Sequence, residues 1–590
     1  MQYEEARFFL SQTAGRGIEL GLDRMRSFMK ELGNPQEKTA FIHVAGTNGK
    51  GSVSAMTASV LAESGSIVGR YCSPWVFEYE EMIQRQDKEG IHYISKEELI
   101  SCVEKMEVVC RKWQQQGKEL PTAFELETAM AFMMFARWDC DVVVLEVGLG
   151  GVDDATNIIG TPLVSVITPI AMDHMGMLGN TLTEIAEKKA GIIKGSVAVS
   201  GFQDEKVREV LKKQCEACGA VLLEVKPDIK IIESSLDGTQ FIYKDHLKTT
   251  IHMLGKHQVE NASAVWEICL ALPDYLRPSE EVIRKGLEKT QWPGRFEIWE
   301  KNPVVIVDGA HNPQGAGALK NAIENYFPDR TIHGIMGVFK DKDYKHIIEI
   351  LKDTFADVTV TRARGVRSEE PALVAKVWKD YGMEKVRTED LPAEALKKTR
   401  EKSAKEDVIV IFGSLSFLQS LKEWGNRIMA KKEKTAKTNA MRILEKNKIP
   451  FTVNTYDCQE FIDGVHIADF LHQPYEQSFK TLVMQGKSKE YHVFVLPVDK
   501  EVDLKKAARV VNEKSLEMVH VKDIQSVTGY IRGGCTAIGM KKQYDTVLHE
   551  SALQFDQIIV SGGKLGTQIL IAPSDFLKVT KGKSADIIVS

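Results

Sequence analysis

The stretch Gly46-Thr47-Asn48-Gly49-Lys50-Gly51-Ser52 places three glycines within six residues and sets a lysine and a serine among them. Such glycines let backbone N–H groups close on an anion, and a helix N-terminus behind them adds a partial positive charge. Lys50 can reach outer phosphates, and Ser52 can meet a phosphate or its magnesium. The spacing is not that of Gly-x-x-x-x-Gly-Lys-Ser, because Val44 stands where a glycine belongs and Gly51 separates Lys50 from Ser52. Two more groups fall where such a cradle needs them. Glu146 sits within the apolar run Asp141–Gly148, and Asp173-His174 follows the run Leu163–Thr168. A Glu, a His and a Ser converging on phosphates can hold a divalent cation. Magnesium prefers oxygen ligands, and the His leaves manganese open. Arg295, in Pro293-Gly294-Arg295-Phe296-Glu297, adds a guanidinium, and Val304–Pro313 forms a second strand–loop unit. By spacing alone, 185–194 is an amphipathic helix ended by glycine, with Lys188 and Lys189 as surface charges. Cys215-x-x-Cys218 stands alone and cannot complete a tetrahedral zinc site, so its cysteines are expected to be structural.

These groups need elements to hold them. An apolar run, Phe41–Ala45, enters the glycine turn, and a helix over Ser54–Leu61 leaves it. Helical spacing over 96–117 and 125–136 alternates with the apolar runs at 141–148 and 163–168. That alternation implies a parallel doubly wound sheet, in which ligands gather beyond the carboxyl ends of the strands. Residues 1–40 read as short helices broken at Gly15, Gly17 and Gly21. Leu254–Ala262 opens another helix. A smaller α/β domain begins near 297, with strands at 304–307, 332–338, 358–361 and 408–412, and Arg295 lies at the junction. The polar run 429–438 reads as a linker, followed by a strand-rich segment with glycine turns at Gly533-Gly534 and Gly562-Gly563.

A chain of 590 residues is too long for one core. The net charge of −5 gives no global attraction to nucleic acid, though a local basic groove remains open. The N-terminus lacks a signal-peptide pattern, no apolar stretch suits a membrane span, and nine scattered cysteines suit a reducing compartment. A cytoplasmic protein is expected.

Residues 1 to about 425 resemble the folylpolyglutamate synthase/dihydrofolate synthase family of Mur-type ligases. The resemblance rests on Gly46–Ser52, Ser73-Pro74, Phe124-Glu125, Leu145–Gly151, Asp154–Asn157, Asp173-His174 and Glu187–Gly191. It continues through His257-Gln258-x-x-Asn261-Ala262, Pro293–Glu297 and Asp308–Asn312. It implies ATP-dependent joining of L-glutamate to a folate or dihydropteroate carboxylate through an acyl phosphate. It implies that Asn48, Gly49, Lys50, Gly51 and Ser52 hold phosphates, with Asn261, Arg295 and Asp308 as further ATP contacts. Ser73 and Glu146 are implied as ligands of one Mg2+ and His174 of a second, with a monovalent cation as an additional ion. Lys189 is implied to be carbamylated, against its surface-charge reading, and His311 lies at the same interdomain site. Lys50, Lys189 and His311 form the implied catalytic set. Trp75, Met82 and Val152 depart from the family pattern, on what the resemblance makes the folate side.

Residues 437–588 resemble the YbaK/EbsC-type Cys-tRNA(Pro) deacylases through Lys437–Ala440, Gly464–His466, Phe479–Val483, Thr528–Gly534, Gly539–Lys542 and Ser561–Lys564. The resemblance implies hydrolysis of cysteine mischarged on tRNA(Pro), with Lys480 essential. Thr481, Tyr530, Gly533, Gly534 and Ser561 join it around the ester, where a glycine turn can offer N–H groups to the carbonyl. Thr536-Ala537 and Gln568 depart from that pattern. Lys541, Lys542, Lys578, Lys581 and Lys583 can meet tRNA phosphates or form a solvated face.

The expected fold class is α/β: a Mur-ligase-type P-loop ATPase domain over 1–296 and a smaller Rossmann-like domain of glutamate-ligase type over 297–428. A linker over 429–436 and a mixed α+β editing domain over 437–590 follow. The ligase part is expected to be monomeric. The competing reading is a Mur-type ligase for a different carboxylate with a non-catalytic tRNA-binding tail.

Overall fold

The computed structural model describes residues 1–590 except 13–20, 364, 366, 416–420, 422–437, 456–463, 472 and 590. The expected helix breaks at Gly15 and Gly17, the linker 429–436 and Lys437 therefore lie outside the described residues. The chain divides into two compact units, Met1–Ile428 and Met429–Ser590.

The first unit holds two parallel-rich sheets. The larger contains β1 (Ala40–Ala45), β2 (Val68–Tyr71), β3 (Ile83–Asp87), β4 (Gly90–Tyr93), β5 (Val142–Glu146), β6 (Val164–Ile167), β7 (Val197–Ser200) and β8 (Val221–Glu224). Their order is β4-β3-β2-β5-β1-β6-β7-β8. All neighbours are parallel except β2/β3 and β3/β4. The parallel strands are near-continuous Val/Ile/Leu runs because helices cover both faces, which is how a buried parallel sheet reads in sequence. Strand β1 is central, with Val44 level with Glu146 on β5 and Ala45 level with Ile167 on β6. The glycine turn after β1 thus opens beside the ends of β5 and β6.

The helix Lys50–Ser64 leaves that turn and is buried continuously from Gly51 to Ala62. Its Ser, Ala and Gly content permits close packing. The helix Glu280–Lys289 lies against it so tightly that a Cβ on Gly286 would run into Val60. Ser59 Oγ donates to the Gly286 carbonyl at 2.7 Å. A three-stranded sheet, β9 (Ile229–Ser235), β10 (Gly238–Tyr243) and β11 (Thr249–Ile251), runs in the order β11-β10-β9.

The second sheet contains β12 (Glu297–Lys301), β13 (Val304–Val307), β14 (Ile332–Met336), β15 (Asp357–Thr361), β16 (Val386–Glu389) and β17 (Val408–Phe412), in the order β12-β13-β17-β14-β15-β16. Only β12 is antiparallel. At the base of this sheet His333 bridges Asp357 (Nδ1–Oδ2 3.0 Å) and Asp407 (Nε2–Oδ2 3.2 Å).

The second unit carries two sheets. One is β18 (Thr452–Thr455), β24 (Thr567–Ile571) and β23 (Ile558–Ser561), antiparallel throughout and in that order. The other holds β19 (Phe479–Gly486), β20 (Tyr491–Pro497), β21 (Leu516–Met518), β22 (Asp545–His549) and β25 (Lys583–Ala585), in the order β21-β19-β20-β22-β25. A parallel bridge, Ser478 to Ile559, joins the two sheets among the described residues. Among the described residues no helix is long and apolar enough to cross a membrane.

Candidate functional site

The phosphate loop is built by close approach. Gly46 has φ +146°, and a Cβ there would collide with Thr168. Gly49 has φ +91°, and its Cβ would stand 2.7 Å from Asn261 Oδ1. Only glycine fits both requirements at both positions. A Cβ on Gly51 would approach the Trp292 indole to 2.9 Å, so the first helical turn is walled by Trp292. Lys50 Nζ donates to the Gly46 and Thr47 carbonyls at 3.2 and 3.3 Å, which folds its ammonium back over the loop. Burial lowers its pKa, with Glu146 and Asp173 pulling the other way. A part-buried ammonium held, among the described residues, by the Gly46 and Thr47 carbonyls, in a cradle that a Cβ on Gly46 or Gly49 would fill, fits a phosphate group.

Glu146, the last residue of β5, is 6% exposed. Burial pushes its carboxyl up to about 7, while Lys50, Arg295 and Arg70 work in the opposite direction. Among the described residues it has no hydrogen-bond or ion-pair partner. A buried carboxylate without a donor is expensive, and a divalent cation is the chemistry that would satisfy it. Ser73 is half-buried in the loop after β2.

Lys189 overturns its surface-charge reading. It lies in the helix Leu182–Ala190 and is only 5% exposed, because the helix turns this face into the apolar cluster of Ile185, Ala186 and Ala190. Lys189 Nζ donates to the Gly46 carbonyl at 2.8 Å. Burial, with Lys50 beside it, lowers its pKa to about 7. Lys188, by contrast, reaches outward to Asp153 at 3.1 Å.

Residues of the second sheet close over the loop. Asn48 Nδ2 donates to Asn312 Oδ1 at 3.2 Å and to Gln314 Oε1 at 2.6 Å, and Asn312 Nδ2 returns a bond to Asn48 Oδ1 at 3.0 Å. Asn312 also caps the helix Pro313–Tyr326. The Asp308 carboxylate accepts from Phe296 N and Ala310 N, both at 2.8 Å. Burial raises its pKa, and Arg295 and those two N–H groups pull it back. Arg295 packs on Gly309, where a Cβ would strike its guanidinium. His311 Nδ1 donates to the Gly309 carbonyl at 2.7 Å, and burial takes its pKa to about 4, so the ring is neutral. Asn261 is buried and donates to Gln258 Oε1 at 3.0 Å.

His174 has a different environment from Glu146. Its φ is +51°, and it begins the short turn after Asp173. Lys342 Nζ reaches Asp173 Oδ1 at 3.0 Å and His174 Nε2 at 3.3 Å. Asp173 also accepts from Asn312 at 3.3 Å and faces His311 Nε2 at 3.9 Å. Burial alone would raise the Asp173 carboxyl, but Lys342, His174 and His311 hold it well below the usual carboxylate range. Lys342 had no sequence signal beyond a charged run, since its meaning depends on a residue 169 positions away. Among the described residues, the only three His, Cys, Asp or Glu groups with ligand atoms within 4.8 Å of one another are Asp87, Glu89 and His92, on an exposed hairpin. Of the departures, Met82 is 2% exposed inside the apolar core, Trp75 packs against that core, and Val152 is exposed. Cys215 is buried, and Cys218 Sγ donates to the Cys215 carbonyl.

In the second unit Lys480 lies on β19 and its Nζ donates to the Val498 carbonyl at 2.8 Å. Lys480 and Ser561 each stand two residues beyond the isolated parallel Ser478–Ile559 bridge. Gln568 is level with Ser561 across β23/β24 and exchanges amide hydrogen bonds with Gln473 at 2.9 and 3.2 Å. Tyr530 Oη donates to the Ile538 carbonyl at 2.7 Å, and its ring walls Gly563. Gly534 lies flush on the Lys564 backbone, where a Cβ would come within 2.8 Å. Thr481 Oγ1 and Ser561 Oγ are buried without hydrogen-bond partners.

Known proteins share these arrangements. Residues 44–269 match the Mur ligase middle domain, 294–415 the Mur ligase glutamate ligase domain, and 465–579 the aminoacyl-tRNA editing domain. The chain is 34% identical over 441 residues to the dihydrofolate synthase/folylpolyglutamate synthase of Bacillus subtilis, covering 71% of this chain and 98% of that protein. The folylpolyglutamate synthase structure from Thermotoga maritima superposes with a TM-score of 0.62 at 32% identity, covering 72% of this chain and 96% of that one. The Mycobacterium tuberculosis folylpolyglutamate synthase complexed with ADP and AMPPCP gives 0.64 at 29% identity, covering 72% and 98%. With its phosphate loop, second sheet and further editing unit, the chain belongs to the folylpolyglutamate synthase/dihydrofolate synthase family of Mur ligases and carries an aminoacyl-tRNA editing domain after the ligase.

Proposed function

We propose that the first unit adds L-glutamate to a folate carboxylate, acting as folylpolyglutamate synthase and on dihydropteroate as dihydrofolate synthase. A carboxylate is a poor electrophile. Its oxygen attacks the γ-phosphorus of ATP, ADP leaves, and the glutamate amine then displaces phosphate from the acyl phosphate. Lys50 and the helix N-terminus behind Gly49 stabilise charge on the phosphates. Asn48, Gly51, Ser52, Asn261, Arg295 and Asp308 orient the nucleotide between the sheets, and neutral His311 faces the transfer point. Ser73 and Glu146 would hold one Mg2+, and His174 with carbamylated Lys189 a second. Bound ions of this kind neutralise phosphate charge and orient the reacting oxygens. A monovalent cation completes the proposed set. The reading rests above all on the reciprocal Asn48–Asn312 pair, which ties the loop after β13 to the phosphate loop.

Phosphate release dependent on ATP and glutamate tests this, with dihydropteroate and tetrahydrofolate offered separately and Lys50→Ala as control. Release with tetrahydrofolate alone marks a polyglutamate synthase, and release with both a bifunctional enzyme. Release with neither, from folded protein that binds ATP, removes the folate assignment.

The second unit is proposed to hydrolyse Cys-tRNA(Pro), with Lys480 at the tRNA ester and the Gly533-Gly534 turn offering N–H groups to its carbonyl. The buried, unpartnered hydroxyls of Thr481 and Ser561 support a polar ligand there. Lys480→Ala separates catalysis from binding: hydrolysis is lost while tRNA retention stays within a few-fold. Unchanged hydrolysis refutes the role of Lys480.

A further inference from the structure

His174 Nε2 has one lone pair, and in this structure the Lys342 ammonium donates to it at 3.3 Å. A metal ion on Nε2 needs the same electron pair, so ion and ammonium cannot both hold it. Lys342 is no surface charge that drifts past: its side chain is 8% exposed, and it is anchored on Asp173 at 3.0 Å. Lys342 belongs to the loop after β14 of the second sheet, whereas Asp173 and His174 follow β6 of the first. The contact is therefore also a tie between the two sheets, alongside the Asn48–Asn312 pair.

We propose that Lys342 is a positioning residue whose ammonium occupies the His174 end of the second cation site and is displaced from Nε2 when that ion binds. This rests on the reading of His174 as a metal ligand. Displacement frees the ammonium from His174 while Asp173 keeps hold of it. Arrival of the ion thus removes the Lys342–His174 contact and leaves the Lys342–Asp173 pair as the remaining tie between the sheets. Asp173 serves as the pivot, since it accepts from Lys342 and Asn312 and faces His311.

The test is an electron-paramagnetic-resonance titration of free Mn2+ on the full chain saturated with AMPPCP, comparing wild type, Lys342→Met, Lys342→Arg and His174→Gln. With the competitor removed, Lys342→Met binds the second Mn2+ about tenfold more tightly, the size expected for one charge-assisted hydrogen bond. Lys342→Arg, which keeps the cation, stays near wild type and shows that the position tolerates change. The gain in Lys342→Met persists at about 0.5 M KCl, because a direct contact is not screened as a distant charge is. A gain that vanishes in salt, or no gain at all, overturns the displacement. His174→Gln separates the two failures. If it loses one Mn2+ while Lys342→Met changes nothing, the metal site stands and the latch falls. If it loses none, His174 is not a ligand and both fall.

Discussion

Lys189 is where burial makes the sharpest chemical demand. Carbamylation begins when a neutral amine attacks the carbon of CO2 and sheds a proton, so its extent follows the unprotonated fraction. At pH 7.5, a lysine with its ordinary pKa of 10.5 is about 0.1% neutral, whereas one lowered to about 7 is about three-quarters neutral. The pocket therefore raises the reactive fraction by about 700-fold, and it does so through desolvation first and the neighbouring Lys50 second. The product replaces a cation with an anion close to the phosphate loop. Protein equilibrated with 13C-labelled CO2 should show one carbamate carbon signal that is absent from Lys189→Gln. Phosphate release should fall when CO2 is stripped and return when bicarbonate is added. Under limiting CO2 the rate should climb as pH rises through about 7, the direction set by loss of the ammonium proton. A chain with no such signal and full turnover without CO2 would refute the reasoning, leaving Lys189 as an ammonium on the Gly46 carbonyl.

Gly49→Ala forces an L-residue to φ +91° and sets a methyl 2.7 Å from Asn261 Oδ1. The strain should cost about 1–2 kcal/mol of stability in a thermal melt and weaken AMPPCP binding in calorimetry. Glu146→Gln should abolish phosphate release yet raise the melting temperature of the metal-free protein. Because burial raises this carboxyl to about 7, the native state pays increasingly for its charge as pH rises from 4.5, so the variant's advantage should widen over that interval and level off above about 7. His333→Gln should destabilise the protein most in mild acid. Hydrogen bonding to Asp357, followed by that to Asp407, raises the imidazole pKa above 6.5, so its contribution is complete below 6.5 and is lost as pH rises through the raised value. Denaturant midpoints of wild type and variant at about pH 6 and pH 9 should therefore converge on the alkaline side.

Local signals carried the strands, the phosphate loop and the glycine-ended helices, since apolar runs and turn residues act over a few neighbours. β17 is an example: the run 408–412 stands out in the sequence and forms the strand with those bounds. What escaped was set by distant partners. Lys189 looks like surface charge until the helix is seen to turn that face into the Ile185 cluster. Lys342 is one charge in a run of four until Asp173 and His174 come to it from the other sheet. Met82, expected on the folate side, is buried at 2% exposure in the core. The small sheet β9–β11 and the β3–β4 hairpin also went unseen, because their short, polar-rich strands lack a long apolar run.

The Asp308 carboxylate holds the backbone N–H of Phe296, a residue turned to φ +49° in the connector between the two sheets. One side chain proposed to contact the nucleotide thus also holds the connector peptide. A ligand that competes for that carboxylate shifts the connector's equilibrium, and thermodynamic reciprocity makes the exchange mutual. With Asp308 on the nucleotide as proposed, a restraint that fixes the connector alters nucleotide affinity by the same factor with which the nucleotide alters the connector. Connector and proposed nucleotide site would in that sense be two readouts of a single carboxylate.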